Sequence, residues 1–202
     1  MNQFKNTTLR AMIYKILILL SLGWQSSSES ATSSCRNPST VADFDINKFT
    51  NGWYTAARDM SNRADIDFFG QATCAKVNVF VDNPPNFLNI NLLIGGVSPN
   101  VSGPYTTISS NKSKLKFYYT ARKTYYDFSV VCTDYTSYAV TYLCGYLSDN
   151  TKTEFTLLIV RDVKEYDTIK NSAEFRRCVA LVTDTLVDDI IRVEHNNCTN
   201  YN

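Results

Sequence analysis

The sequence predicts an all-β fold, a sandwich or a barrel of short antiparallel strands, with one amphipathic helix near its C-terminus. Three observations predict it. Seven or eight short runs alternate apolar with polar residues at the period of a half-buried strand. Turn-forming residues separate those runs at nearly even intervals, as in a sandwich or barrel. A single later stretch repeats its apolar residues at three- and four-residue steps.

The first residues are of another kind. Lys5, Arg10 and Lys15 precede or interrupt an apolar run, residues 16–22, and a small polar stretch follows at 26–30. This order is that of a secretory signal cleaved near Ser30 and Ala31. The apolar run is far shorter than the ~20 residues a transmembrane helix needs, and no later run is long and apolar enough to span. Residues 1–30 are therefore expected to be a removed signal and residues 31–202 one domain.

Within that domain, residues 44–49 (Phe-Asp-Ile-Asn-Lys-Phe) form a short helical turn, and Asn51-Gly52 punctuates the chain before a strand starting at Trp53. Residues 76–81 alternate as Lys-Val-Asn-Val-Phe-Val and residues 87–94 as Phe-Leu-Asn-Ile-Asn-Leu-Leu-Ile. Residues 115–120 interleave lysine with apolar and aromatic side chains. Further strands are expected at 125–132, 138–146 and 154–160, separated by polar turns at 133–136 and 148–150. Phe175, Cys178, Val179, Val182 and Leu186 then mark one face of a helix that Ser172 can cap, with Arg176 and Arg177 on its polar side. Such a helix must lay its apolar stripe on the outside of the sheet. A last short strand at 190–193 leads to Cys198.

Composition narrows the function. The chain is 44% hydrophobic with only 7 Gly and 5 Pro, enough for a real core. Twenty basic residues stand against nineteen acidic ones, so no positive surplus favours a nucleic-acid partner. Six cysteines, spread over the expected domain with no CxxC spacing, fit a disulfide framework made in an oxidising compartment rather than a zinc or redox site. Sequons at Asn100 and Asn111 suit the same secretory route, and Asn197 begins a third, poorer one that contains Cys198. The single histidine, His195, stands beside the terminal cysteine, which rules out multi-histidine metal sites and histidine-based triads. Asp188-Asp189 and the Asp65/Asp67 pair fall on a helix end and a loop and read as solvated charge. No enzyme activity, metal or cofactor is expected.

Three patches in order resemble the lipocalin family. Residues 44–54, with Gly52, Trp53 and Tyr54 at their end, are similar to the family's opening helical turn and Gly-x-Trp. Here Gly52 directly precedes Trp53, so either the turn is one residue shorter or Asn51 takes the glycine's role. Thr133-Asp134-Tyr135-Thr136-Ser137-Tyr138 resembles the family's Thr-Asp-Tyr-x-x-Tyr hairpin, and residues 157–162 supply Arg161 after the last barrel strand. The cysteine positions are nearest to those of the apolipoprotein D, bilin-binding and crustacyanin group. The resemblance implies an eight-stranded antiparallel up-and-down barrel with the C-terminal helix packed outside, and bridges Cys35 to Cys144 and Cys74 to Cys198. Cys178 sits where crustacyanin-like chains carry a helix cysteine, which leaves Cys132 as its partner, although strand parity alone can point Cys132 inward.

In such a barrel Trp53 fills the closed end, and Arg161 can lay its guanidinium over the indole, a contact worth roughly 0.5–2 kcal/mol. Alternation assigns the lining. Counting from Arg161, Ile159, Leu157 and Phe155 face in. If Cys144 faces out toward Cys35, Leu143, Thr141 and Ala139 face in. Counting from Trp53, Thr55 and Ala57 do, and Phe117, Tyr119, Tyr126, Phe128 and Val130 complete the wall. Ile66, Phe68 and Phe69, from the first long loop, form the rim or a satellite cluster over the mouth. An apolar wall with a few hydroxyls suits a small hydrophobic ligand such as a lipid, sterol, retinoid or pigment.

The alternative expectation is a secreted barrel plugged by its own 13 Tyr and 11 Phe that acts through its surface on a protein partner or a second copy, as inhibitor or assembly subunit. A third variant, a biogenic-amine binder, requires inward carboxylates, for which Asp59 and Asp127 are the candidates.

Overall fold

Eight antiparallel strands close into a barrel in the computed structural model, which describes residues 34–81, 86–108, 110 and 112–198. The expected signal and Asn111 lie outside the described residues. The strands are β1 (Trp53–Met60), β2 (Thr73–Phe80), β3 (Phe87–Leu93), β4 (Val101–Thr107), β5 (Lys114–Tyr119), β6 (Thr124–Thr133), β7 (Tyr138–Tyr146) and β8 (Lys152–Val160). Each pairs with the next, and β1 pairs with β8 on one side and with β2, at Trp53 opposite Val77, on the other. Closure leaves the barrel no free edge. Beyond Tyr54, where the pairing with β2 ends, a ninth short strand, β9 (Ile191–Arg192), takes that side of β1.

The strand that the sequence pattern hides is β4. It reads Val-Ser-Gly-Pro-Tyr-Thr-Thr, and glycine with proline normally marks a turn. Both residues have a use here. Pro104 lacks an N–H and sits where β4 stops pairing with β3 and begins, at Tyr105, to pair with β5. Gly103 lies so close to the neighbouring strand that a Cβ would stand 1.7 Å from the Tyr118 carbonyl oxygen.

Short helices decorate the barrel: α1 (Ile46–Phe49), α2 (Arg63–Phe69), α3 (Tyr166–Ile169) and α4 (Ala173–Val179), with single 3-10 turns at Val163–Glu165 and Val187–Asp189. Ser172 caps α4 by accepting the Phe175 N–H. The helix is shorter than its periodicity predicts. It stops at Val179, so Val182 reaches the core from a turn while Leu186 stays 71% exposed. α2, whose N-cap Asn62 accepts the N–H groups of Ala64 and Asp65, is not foreseen from the sequence.

Two apolar clusters share the strands between them. One fills the barrel, with Trp53, Val77, Leu88, Phe117 and Phe128 among its most buried members. The other lies outside, where Tyr138, Val140, Tyr142 and Leu158 meet Phe175, Cys178 and Val182. Alternation along β7 and β8 separates the two sets without exception. It breaks at two bulges, where one strand gains a residue against its partner and the faces exchange. In β1 the extra residue lies between Thr55, opposite Ile159, and Ala57, opposite Leu158. In β6 it is Val131, between Val130, opposite Thr141, and Cys132, opposite Val140. Cys132 therefore shares the outward face of Val140 and bonds to Cys178 of α4. Cys35 bonds to Cys144 and Cys74 to Cys198, so three bridges tie both terminal segments and α4 to the barrel wall.

Candidate functional site

One end of the barrel is built shut. The Trp53 indole is fully buried against Phe49 and donates its Nε1–H to the Phe49 carbonyl at 2.9 Å. The Arg161 guanidinium has its carbon 3.5 Å from the indole centroid, and its Nη1–H and Nη2–H groups donate to the carbonyls of Lys48, Thr50, Gly52 and Tyr135. Asn51, with φ of +77°, adopts the left-handed backbone usually left to glycine. Gly52 leaves room for the Lys76 side chain: a Cβ there would stand 2.1 Å from Lys76 Cε, the flexible end of a lysine that can move aside. In the adjoining hairpin, one Asp134 oxygen accepts the N–H groups of Thr136, Ser137 and Tyr138. Burial raises that carboxyl, but those N–H donors outweigh it and hold it below the usual carboxylate range. Asp134 is thus a turn-capping group. Thr133 completes the turn by accepting the Tyr135 N–H and donating to the Tyr138 carbonyl.

Toward the other end lies a cavity of about 70 Å³. Of the side chains assigned to the wall by alternation, Thr55, Phe117, Tyr119, Tyr126 and Leu143 border it, together with Phe155 and Leu157. Phe128, Val130, Ala139, Thr141 and Ile159 are buried inside the barrel but fill it rather than face the cavity. Phe69 borders the cavity from above, as a rim residue. Phe68 does not: it is 48% exposed on the outer side of α2 and reaches the site only through an edge contact with Phe69.

Ala57 is a correction. The bulge in β1 turns it outward, into the cluster beneath α4. The same bulge turns Arg58 inward, where it is only 4% exposed on the cavity wall. Its Nη2 donates to the carbonyls of Ala72 at 2.8 Å and Gly70 at 3.2 Å. Burial among apolar groups lowers its pKa to about 10, which leaves it protonated at neutral pH. Sequence reasoning also leaves out Ala75, Ile90, Leu92, Val101 and Arg122, all on the wall. The alternation in β2 and β3 is visible in the sequence, but no fixed point there says which face is inner.

Arg122 closes the mouth. It reaches over from the β5–β6 turn, pairs with Asp65 of α2 at 2.9 Å and donates to the Tyr126 hydroxyl at 3.2 Å. Its guanidinium also lies 5.4 Å from the Phe69 ring centroid. Asp65 is accordingly a buried ion-pair partner that also accepts from Thr153, whereas Asp67 stays in solvent. Asp59 and Asp127 both face outward. Asp59 accepts the hydroxyls of Thr183 and Thr185, and Asp127 pairs with the outward Cys144. Among the described residues the cavity wall therefore carries Arg58 and Arg122 and none of the free carboxylates that an amine ligand needs.

His195 lies outside the barrel with its Nε2 2.8 Å from the Thr55 carbonyl oxygen. Among the described residues no group of three or more His, Cys, Asp or Glu is placed to hold a metal ion, and no helix is long and apolar enough to cross a membrane. Asn100 is exposed, its side-chain oxygen accepting from Ser102.

Residues 97–195 match the model of the lipocalin / cytosolic fatty-acid binding protein family. Among solved structures, insecticyanin from the tobacco hornworm Manduca sexta is similar at 18% identity and a TM-score of 0.58, over 81% of this chain and 87% of that one. The cockroach allergen Per a 4 is similar at 19% identity and a TM-score of 0.59, over 83% and 99%. The siderocalin Ex-FABP, described as functioning through dual ligand specificities, is similar at 15% identity and a TM-score of 0.56, over 74% and 95%. No curated protein matches the chain by sequence. At such identities the likeness to these structures concerns the fold.

Proposed function

From the premise that this chain belongs to the lipocalin family, we propose that it is a secreted carrier that holds a small hydrophobic molecule inside its barrel and performs no catalysis. One observation carries the reading. Behind Phe69 and Arg122 lies a partly open space walled mainly by aliphatic and aromatic side chains, of the kind that takes a small apolar molecule. Family membership and the siderocalin's dual ligand specificities support it. Three disulfides and the signal expected at residues 1–30 support export to an oxidising compartment. The only histidine lies outside the barrel, which supports binding over chemistry.

A second reading is favoured by the size of the cavity. At about 70 Å³ it is well below the roughly 300 Å³ at which ligand pockets usually begin. Phe69, Phe117, Tyr119, Tyr126 and Phe155 crowd it, while Phe68 and Tyr125 are exposed. A barrel plugged in this way would act through its surface on a protein partner.

Native mass spectrometry and an absorption spectrum of protein secreted from its own source, followed by organic extraction, separate the two readings. A co-purifying apolar molecule is expected. A clean apo mass that stays unchanged after incubation with a panel of lipids and pigments would overturn the carrier reading in favour of the surface-acting one.

A further inference from the structure

A second hollow, of about 210 Å³, lies on the outside of the barrel and is three times the size of the interior cavity of about 70 Å³. No residue borders both. Ala56, the extra residue of the β1 bulge, lies at its base with Val193 and Tyr166, all three buried. One wall is the turn Val163–Glu165 with the start of α3, and the other is the segment that follows β9. Both walls are fixed. Arg192 ties them together through a forked pair with Asp167, at 2.8 and 3.1 Å. The second wall is also fastened to the barrel, where the Val193 N–H donates to the Ala56 carbonyl, the Cys74 N–H to the Glu194 carbonyl and His195 Nε2 to the Thr55 carbonyl.

Opposite charges stand on the opposite walls. Lys164, on the turn, is exposed and makes no ion pair among the described residues. Glu194, on the other wall, accepts from the Asn196 amide at 3.1 Å and meets the Arg192 charge only through space. Arg192 itself is committed to Asp167. Charges on a surface are ordinarily solvated and need no ligand. These two differ in bordering a preformed hollow with an apolar base, the make-up of a small-molecule site. At about 210 Å³ the hollow is below the roughly 300 Å³ at which drug-sized sites begin, which restricts an occupant to a small metabolite. An anion would meet Lys164 and be repelled by Glu194, and a cation would meet the reverse. A zwitterion satisfies both.

We propose that this outer hollow binds a free amino acid with an apolar or aromatic side chain, its carboxylate held by Lys164, its ammonium by Glu194 and its side chain laid against Ala56, Val163 and Tyr166. The site is independent of the interior cavity and of whatever the barrel carries.

His195 supplies the readout. It is the only histidine in the chain, it borders the hollow, and its ring is held by the Thr55 carbonyl and edge-on against Tyr54 at 5.7 Å. Proton NMR of that one imidazole, in buffer of fixed neutral pH, is followed while the disulfide-bonded chain is titrated with L-phenylalanine, with 3-phenylpropanoate and with 2-phenylethylamine. The second lacks the amino group of the first and the third lacks its carboxylate. A saturable shift is expected with phenylalanine, at a concentration at least about threefold below that needed for either of the others, as one exposed charge pair gives. Lys164→Met should erase the advantage over phenylethylamine and Glu194→Gln the advantage over phenylpropanoate. Both side chains are exposed, so both variants should fold as the native chain does. No saturable shift, equal or tighter binding of either single-headed compound, or advantages that survive in the two variants would each overturn the inference.

Discussion

Arg161 covers Trp53 at 3.5 Å, and the same guanidinium gathers four backbone carbonyls from α1, the turn after it and the β6–β7 hairpin. One side chain thereby joins the closed end of the barrel to both segments that shut it. Arg161→Met should cost about 2–4 kcal/mol, a cation–π contact of roughly 0.5–2 kcal/mol plus the loss of its partly buried hydrogen bonds. Urea unfolding followed by Trp53 fluorescence measures this. Arg161→Lys should recover less than half, because an ammonium lacks the planar fork that reaches several carbonyls. Ligand affinity should not change, since Arg161 does not border the cavity. A native-like unfolding midpoint for Arg161→Met would show that the closed end is held by Trp53 and Phe49 alone.

The bridge between Cys132 and Cys178 depends on the residue beside it. Val131 is the extra residue of the β6 bulge, and without it Cys132 would turn into the barrel, away from α4. Deleting Val131 should leave both thiols free, counted by alkylation and mass spectrometry, while the other two bridges form. Replacing Cys132 and Cys178 together by alanine should lower stability by about 2–4 kcal/mol, the range for a closed loop of this size. A bridge that still forms after the deletion would mean that β6 can slip its register at little cost.

The two bulges also mark the limit of what was legible in the sequence. Parity counted from Arg161 and Cys144 sorts β7 and β8 correctly, because both strands are regular and each has a residue whose side is known. Counted from Trp53, the same rule holds for Thr55 and fails two residues later, since nothing in Thr-Ala-Ala-Arg announces a bulge. The error hid Arg58, a charged residue that composition assigns to the surface. β4 was lost to Gly103 and Pro104, whose turn preference is overridden by the close approach of Tyr118 and by a change of pairing partner. Asp65 reads in the sequence only as solvated charge, because its partner, Arg122, lies 57 residues away on another loop, and pairing at that distance leaves no local pattern.

The Asp65–Arg122 pair should govern access to the cavity. Arg122 lies on Phe69 and against Tyr119, so it presses the rim of α2 onto the mouth. Arg122→Met frees that rim and leaves the Asp65 carboxylate without its cation. Association and dissociation of a bound apolar probe should both accelerate severalfold in stopped-flow measurements, with a smaller change in their ratio. Stability should fall by about 1–3 kcal/mol, the usual penalty for a buried group left without its partner. Unchanged rates would place the entrance elsewhere on the barrel.

Acid should weaken the fold in part through Asp134. Burial raises this carboxyl, the N–H groups of Tyr138, Ser137 and Thr136 lower it by more, and its folded pKa lies below the ordinary value. A carboxyl whose pKa is depressed on folding contributes its stability in full above the unfolded value of about 3.9, and loses it as pH falls through the folded value. Asp134→Asn keeps an acceptor but cannot titrate. The native chain should therefore melt higher than the variant above about pH 5, and the gap should close as pH is lowered through 4 toward 3. The other depressed carboxylates, Glu154, Asp167 and Asp184 among them, titrate alike in both chains and cancel in the comparison. A gap that stays constant down to pH 3 would show that Asp134 serves the turn through geometry alone, with no contribution from its charge.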